Sequence, residues 1–468
     1  MAKPINSGIP NSSPGVRPSA RERFKQVLAP VERFLAIEAA SGIVLMIAAG
    51  LALIWANSPW RESYEAIWHL PLGLRIGNIV FERDLHFWIN DGLMTIFFFV
   101  VGLEIRREIH TGELSDFRRA ALPIAAALGG MIVPAVIFLG LNQGRVSVVG
   151  WAVPMATDIA FAVGALALLG KRVAPALRIL LLALAVIDDV GAILVIALFY
   201  SSELSLLGFA LLGVGVLLIS SLQIIGVRFP LAYVIPSVAV WAGAYVGGIH
   251  PTLAGVIIGF MTPVRPWYGP QRFIHHAQAQ VESIRHDGVE DQRASLPHLD
   301  NLQVVAREAV APVERLQHLL HGWVAFGIMP LFAFANAGVL LGGVSLHGGA
   351  LWVFLGVTIG LLLGKPLGIF TASWAAVRLG FAALPNGIKW SQVTVVGTVG
   401  GIGFTMALFI AQLAFPAGPL LETAKLAILC GSILAGALTV ILGRRILTVI
   451  PDPGAALSDA DAESSTLR

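Results

Sequence analysis

Long apolar segments dominate this chain and decide what it can fold into. About 20 residues of α-helix cross the hydrocarbon core of a bilayer, and hydropathy gives twelve candidate crossings. They lie at residues 35–56, 86–105, 121–141, 151–170, 179–200, 206–225, 231–247, 251–263, 323–342, 350–374, 393–415 and 423–443. Only 13% of the residues are charged, about half of the roughly 25% typical of soluble domains. The pattern predicts an all-α integral membrane protein with twelve transmembrane helices.

The basic residues between the apolar segments predict the orientation of the chain. An even number of crossings places both termini on one side, and loops rich in Lys and Arg favour the cytoplasm. One side carries 25 of these residues against 5 on the other, or 19 against 5 without the long loop at 264–320. We therefore expect a cytoplasmic N-terminal tail at 1–33, a membrane domain at 34–445 and a cytoplasmic C-terminal tail at 446–468.

The net charge and the single cysteine exclude other classes of protein. The net charge is +3 with a pI of about 9.2, but the basic residues lie between apolar segments, so we expect no nucleic-acid partner. Membrane lipids, including anionic ones, are the expected partners of these residues. Cys430 lies within an apolar run, which rules out an intrachain disulfide framework and a cysteine-based metal site. We expect no cofactor.

Two segments between the crossings have patterns of their own. Residues 72–83 alternate around the pair Gly77-Asn78, which is typical of a short β-hairpin, here on the external side. A lone hairpin is marginally stable, so we expect it to pair with the hairpin of a second copy in a homodimer. The cytoplasmic loop at 264–320 is rich in His and charged residues and is expected to be solvated, with one or two amphipathic or partly disordered helices.

Helices 3–5 and helices 10–12 form two similar trios. The middle members are interrupted by Gly and Pro residues, which are Gly150, Pro154 and Gly164 in helix 4 and Gly397, Gly400, Gly401 and Gly403 in helix 11. An offset of seven crossings is odd, so the two trios run in opposite directions and form inverted-topology repeats. Interrupted helices at matching positions of such repeats indicate the midplane site of a transporter.

Three acids and one base lie in the interior of the apolar segments of these two trios, where each costs about 2.5–3.5 kcal/mol on insertion scales. Asp188 and Asp189 lie near the middle of helix 5, Asp158 follows Thr157 in interrupted helix 4, and Lys365 lies in helix 10. Neighbouring residues on a helix point about 100° apart, so one lysine does not neutralise both aspartates. The remaining acid must be protonated, hydrated or bound to a cation.

A site of this kind suits ion exchange. A proton and a small hard cation would compete for the same carboxylate oxygens, and alternating exposure of the site would couple their movements. Carbonyl groups at the helix interruptions can ligate a cation, while Asp158 offsets a helix N-terminal dipole and Lys365 a C-terminal one. A passive cation channel is an alternative, although few polar residues are available to line its pore. An intramembrane aspartyl protease is another, although its two acids should come from different helices.

Five motifs resemble those of the NhaA-type sodium/proton antiporters. They are ATDIAFA at 156–162, AVIDDVGAI at 185–193, PLFAFANAG at 330–338, GKPLG at 364–368 and GGIGFTM at 400–406. The likeness runs in the same order from about residue 35 to 445. It implies a transporter, not an enzyme, in a bacterial inner membrane. Such a protein exports Na+ or Li+ for a larger number of protons, is driven by the membrane potential and activated by pH, and is dimeric through the external hairpin.

The resemblance also implies roles for single residues. Asp188 and Asp189 match the site of the transported Na+ or Li+ and protons. Thr157 and Asp158 match the crossing of the interrupted helices, and Lys365 matches the lysine that compensates the charge of Asp188.

A further set of residues matches the funnel and pH-response region of the family. They are Asp91, Glu104, Arg107, His318 and His321. Here the chain departs from the family pattern, because Gln317 stands where a glutamate is typical, Glu314 replaces a base, and the preceding loop is longer. The resemblance therefore leaves the pH profile open.

Overall fold

The computed structural model describes residues 38–77, 79–201, 204–286, 292–343, 347–385 and 387–448. The predicted tail at 1–33 and residues 449–468 lie outside the described residues. The elements of the first half are α1 (Glu38–Ala56), α2 (Arg61–Trp68), β1 (Pro71–Ile76), β2 (Ile79–Asp84), α3 (Leu85–Thr111), α4 (Phe117–Asn142), the 3₁₀-helix α5 (Val146–Met155), α6 (Ile159–Ala167), α7 (Pro175–Phe199), α8 (Leu206–Ile225), α9 (Pro230–Val246) and α10 (Thr252–Met261).

The second half continues with helices alone among its described residues. They are α11 (Pro270–His286), α12 (Gln292–Glu308), α13 (Pro312–Asn336), α14 (Gly349–Arg378), α15 (Trp390–Gly400), α16 (Phe404–Ala414) and α17 (Pro419–Ile446). Short 3₁₀ turns lie at Glu113–Ser115, Gly170–Arg172 and Leu341–Gly343. Helices α3, α13 and α14 each contain a π-helical turn, at Trp88–Leu93, Val324–Ile328 and Gly360–Gly364 respectively.

Many of these helices are long and apolar enough to cross a membrane. Among the described residues, α3, α4, α7, α8, α13, α14 and α17 meet this condition alone, which makes seven. The pairs α1/α2, α5/α6 and α15/α16 meet it when their bent halves are taken together, which raises the number to ten. Helices α9 and α10 are apolar but shorter. The chain is therefore a multi-pass membrane protein, as the hydropathy predicted.

The predicted hairpin is present and is anchored to two helices. Strands β1 and β2 pair antiparallel over six residue pairs, and Gly77 in the turn has a φ of +60°, which suits glycine. Trp88 Nε1 donates a hydrogen bond to Leu72 O at 3.0 Å, and Arg83 Nε donates to the Tyr245 hydroxyl at 3.0 Å. These contacts fix the hairpin at the start of α3 and against the end of α9.

The segment at 264–320 contains helices, as the sequence predicted. Helices α11 and α12 both lie within it and pack on each other. Helix α13 begins at Pro312, eleven residues before the predicted start of the ninth crossing at 323. Its first turns are amphipathic, so hydropathy leaves them out, but proline is a favoured first residue of a helix and the helix continues to Asn336.

Two pairs of apolar helices are broken in the middle, one within the predicted helix 4 and one within the predicted helix 11. Helices α5 and α6 are bent by 46° across residues 156–158, and α15 and α16 by 49° across residues 401–403. The two breaks lie against each other, because a Cβ atom at Gly403 would lie only 3.0 Å from the carbonyl oxygen of Ala156. Glycine at residue 403 therefore allows one break to pass close to the other.

Small residues also bring α4 and α14 together. A Cβ atom at Gly129 would lie 2.1 Å from the carbonyl oxygen of Gly368, and the reverse distance is the same. Small residues allow such close approach of helices inside membranes. Lys365 lies one turn before Gly368, so this packing holds the lysine in the interior, where its side chain is fully buried.

Candidate cation and proton site

Lys365 and Asp188 form a buried ion pair between two helices. Asp188 lies in the middle of α7, and Lys365 follows the π-helical turn of α14. The Lys365 Nζ atom donates to Asp188 Oδ2 at 2.6 Å, and the two side chains are 0% and 1% exposed. Such a pair is stable inside a protein only when good geometry and further hydrogen bonds offset the loss of hydration.

Thr157 connects this ion pair to both broken crossings. Lys365 Nζ donates a second hydrogen bond to Thr157 Oγ1 at 2.9 Å, and the threonine hydroxyl donates to the carbonyl of Gly400 at 2.8 Å. Thr157 lies in the break after α5, and Gly400 is the last residue of α15. The positive charge of the lysine therefore lies next to the carbonyl end of α15, where a cation is favoured.

Asp158 joins the N-termini of the two other half-helices. Its Oδ1 atom accepts from the backbone N–H of Phe161 in α6 at 2.9 Å. Its Oδ2 atom accepts from the backbone N–H of Thr405 in α16 at 3.1 Å and also from the Thr405 hydroxyl. Helix N-termini carry partial positive charge, so two of them face one carboxylate. Asp158 is thus compensated by backbone groups and the Thr405 hydroxyl.

Asp189 is the acid that this arrangement leaves without a basic partner. It is 2% exposed, directly follows Asp188 on α7, and lies within electrostatic range of Glu104 on α3. Lys365 is the one buried basic residue in the part of the chain that the structure describes. The Oδ1 atom of Asp188 is also buried without a hydrogen-bond partner among the described residues. The pair of aspartates therefore has carboxylate oxygens available to bind a proton or a cation.

Asp91 lies apart from this cluster, at the hairpin end of α3. The Oδ1 atom of Asp91 lies 3.6 Å from His250 Nδ1. The backbone carbonyl of Asp91 accepts hydrogen bonds from Trp241 Nε1 at 3.2 Å and from the Thr95 hydroxyl at 2.5 Å. His250 lies in the connection between α9 and α10. Burial lowers the pKa of His250 to about 4, so the imidazole is neutral at pH 7 and the contact is not an ion pair.

The other funnel and pH-response residues meet at the opposite end of α3. Arg107, His318 and His321 line a cavity of about 940 Å³ between α3 and α13. Arg107 donates to Gln317 Oε1 at 3.0 Å and to Glu108 at 3.2 Å. Glu104 lies one turn before Arg107 on α3 and within electrostatic range of Asp189.

Sequence reasoning missed one side chain and one backbone feature of the site. Thr405 belongs to the motif at 400–406, but its bond to Asp158 spans 247 positions of sequence. A threonine in the first turn of a broken helix is the signal that could have indicated it. The π-helical turn before Lys365 was also missed, since a glycine and a proline flanking a lysine are not specific for a π-turn.

The comparisons with known proteins agree on one family. A profile of the family described as Na+/H+ antiporter 1 matches residues 32–442. The chain is 55% identical over 463 residues to the protein named Na(+)/H(+) antiporter NhaA 2 of Sorangium cellulosum, which covers 98% of this chain and 99% of that protein.

Two further relatives carry the same name. The protein of Myxococcus xanthus is 54% identical over 441 residues, or 93% of each chain. That of Pseudomonas putida is 51% identical over 429 residues, or 90% of this chain and 94% of the relative. The likeness therefore extends over nearly the whole length of each protein.

We expect the Lys365→Met variant to lose about 3–5 kcal/mol of unfolding free energy, because Asp188 is left as a buried acid without its base. Adding Asp188→Asn should recover part of this loss, since the unpaired acid is then removed. Thermal unfolding of the wild type, both single variants and the double variant in detergent measures the coupling. Lys425→Met is the matched control, since its pair with Glu422 joins neighbouring turns of one helix and is more exposed, so its loss should be smaller. Strictly additive losses in the double variant would contradict the pair.

Proposed function

The chain belongs to the Na+/H+ antiporter 1 family, and from this premise we propose that it exports Na+ or Li+ in exchange for protons, for sodium and pH homeostasis. The observation that carries the proposal is the buried pair Asp188 and Asp189 beside the single base Lys365. Their oxygens bind either protons or one small cation. Thr157 and Asp158 support this site by holding the two broken crossings around it.

Exchange follows when the site opens to one side at a time. A cation that enters from the cytoplasm displaces protons from the aspartates. After the site turns to the other side, the cation leaves and protons take its place. If neither a proton nor a cation were bound, the buried charge of the site would be uncompensated. The site therefore changes sides only with one of them bound, which couples the movement of the cation to that of the protons. While the site turns from one side to the other, Lys365 compensates the charge of Asp188. The transported ions therefore compensate chiefly the charge of Asp189.

We propose that the chain crosses the inner membrane of a bacterium twelve times, with both termini in the cytoplasm. The seven single helices, the three bent pairs and the shorter helices α9 and α10 supply these crossings. The trios of helices 3–5 and 10–12 are inverted repeats in this arrangement, with the broken crossings α5/α6 and α15/α16 as their middle members. The excess of Lys and Arg on one side gives the orientation.

We propose that the cavity at Arg107, His318 and His321 is the cytoplasmic funnel and takes part in the pH response. Arg107 pairs with Gln317, a neutral side chain, while Glu314 lines the same cavity one turn earlier on α13. An acid is therefore retained on this face of the helix, but it lies three residues away from the usual position. Asp91 belongs to the external end of the same pathway.

The proposal predicts that Asp188→Asn and Asp189→Asn each abolish Na+-dependent proton movement, since asparagine keeps the shape but binds neither ion as an acid does. Purified variants in proteoliposomes, with a pH-sensitive dye inside, should fall to the background of empty vesicles. Asp116→Asn is the control, because Asp116 is an exposed helix cap that asparagine also provides. Full exchange in both site variants would refute the site. Na+ flux without proton movement in the wild type would indicate a channel instead.

We also propose that more protons enter than cations leave, so that each cycle moves net positive charge inward. An inside-negative potential should then accelerate Na+ efflux, because each net charge that crosses 100 mV gains about 2.3 kcal/mol. The measurement is Na+ efflux from proteoliposomes clamped at zero or at negative potential with K+ and valinomycin. Equal rates at both potentials would indicate electroneutral exchange.

We propose that the protein is a homodimer joined by its hairpins. The two-stranded sheet exposes Leu72 and Val80 and leaves one edge of each strand without a strand partner among the described residues. Deletion of residues 73–82 should convert the dimer to a monomer on cross-linking and gel sizing. Replacement of Leu204, an exposed leucine outside the hairpin, with alanine should leave the dimer intact. A dimer that survives the deletion would exclude the hairpin as the interface.

A further inference from the structure

A closed ring of hydrogen bonds lies at the hairpin end of α3. His86 Nε2 donates to Asn336 Oδ1 at 3.0 Å, and Asn336 Nδ2 donates to Asn90 Oδ1 at 2.8 Å. Asn90 Nδ2 then donates to His86 Nδ1 at 3.1 Å. These roles follow from the amide groups, since the carbonyl oxygen of Asn336 only accepts hydrogen bonds. The ring joins the start of α3 to the last residue of α13.

Gln412 connects this ring to the second half of a broken crossing. Its Nε2 atom donates to Asn336 Oδ1, the same oxygen that accepts from His86. Gln412 lies near the end of α16, two turns after Thr405, which binds Asp158. We call His86, Asn90, Asn336 and Gln412 the polar latch. It links a half-helix that forms the ion site to two helices that lie outside the repeated trios.

One residue of the polar latch, His86, lines a second cavity. This cavity has a volume of about 210 Å³ and opens on the hairpin side, and His86 and Ala335 belong to its lining together with the ion pair of Glu422 and Lys425. Asn336 is fully buried behind them. The funnel cavity at Arg107 lies at the other end of α3, 21 residues from His86, which corresponds to roughly 30 Å along the helix. The two cavities therefore approach the interior from opposite ends.

We propose that the polar latch is the gate that closes the ion pathway on the hairpin side and that its bond between Gln412 and Asn336 breaks whenever the site opens to that side. This inference rests on the proposed exchange. The geometry supports a gate because the bond spans the boundary between the trio that contains α16 and the helices α3 and α13. A displacement of α16 relative to those helices separates Gln412 from Asn336, while the ring of His86, Asn90 and Asn336 stays intact within its own part of the molecule.

A gate of this kind sets the balance between the state that opens on the hairpin side and the state that opens on the funnel side. Loss of one bond of the closed state shifts the population toward the state that opens on the hairpin side, by the contribution of that bond alone. The apparent affinity for an ion on one side falls as the state that opens to that side becomes less populated. Weakening the latch therefore acts in opposite directions on the two sides, whereas a general loss of stability does not.

The experiment measures the apparent KM for Na+ on each side of proteoliposomes with sorted orientation. Gln412→Ala should lower the KM on the hairpin side and raise it on the funnel side, and the ratio of the two should change about twofold to tenfold, as expected for one hydrogen bond. Gln223→Ala is the control, because Gln223 donates a comparable half-buried bond to Met261 O between α8 and α10, away from both cavities. Its ratio should stay at the wild-type value. A Gln412→Ala ratio equal to wild type would overturn the gate.

A second measurement covers the case in which Gln412→Ala folds poorly. Cys430 is the only cysteine of the chain, so Asn336→Cys with Gln412→Cys in a Cys430→Ser background gives one defined thiol pair. A short, reducible bis-thiosulfonate linker should stop exchange, and dithiothreitol should restore it. Each single-cysteine variant treated with the linker should keep exchanging. Full exchange by protein whose thiols are both linked would overturn the gate, whereas a wild type without any exchange would overturn the proposed function itself.

Discussion

The ion pair between Lys365 and Asp188 is the interaction on which the site depends. A buried lysine requires a partner of opposite charge, and here it also requires Thr157 to accept a second bond. These demands bring α14, α7 and the first break together at one point. The close approach of Gly129 and Gly368 holds α14 deep enough for this. Because this base pairs with Asp188 and backbone groups compensate Asp158, Asp189 is the acid of the site that has no basic partner among the described residues.

The sequence was most informative where a residue conflicts with its surroundings. An acid or a lysine in an apolar run of more than 15 residues is easily noticed, which is why Asp188, Asp189 and Lys365 could be singled out without a structure. The hairpin was predictable for the same local reason, since its turn and its alternating residues lie within one short segment. Hydropathy also located the long apolar helices along the chain, because the signal for each is contained in its own segment, while the number of twelve crossings stays a prediction.

Features that depend on distant parts of the chain could not be read in this way. Thr405 looks like an ordinary helix residue until its contact with Asp158 is known, and Gln412 and His86 look like polar residues near the membrane surface. The start of α13 at Pro312 was missed because amphipathic turns carry no excess of apolar residues. The roles of the site residues in binding Na+ and protons stay predictions.

The departure at Gln317 has a local structural context. Arg107 donates to its amide oxygen, so the arginine keeps a partner although the partner is uncharged. Glu108, next to Arg107, accepts a second bond from the same guanidinium and forms an ion pair with it at 3.2 Å. Two acids therefore lie near Arg107, since Glu108 pairs with it directly and Glu314 lines the same 940 Å³ cavity.

The sharing of Asp158 between two half-helices also constrains how the protein is made. Thr405 follows Asp158 by 247 positions, so at translation rates of about 5–20 residues per second the ribosome needs about 12–50 s to supply the second partner. During that interval the first break waits in the membrane with its backbone N–H and C=O groups only partly paired. Completion of the ion site is therefore among the last events of biogenesis, and nascent chains that stop before α16 leave the insertion machinery with an unfinished centre.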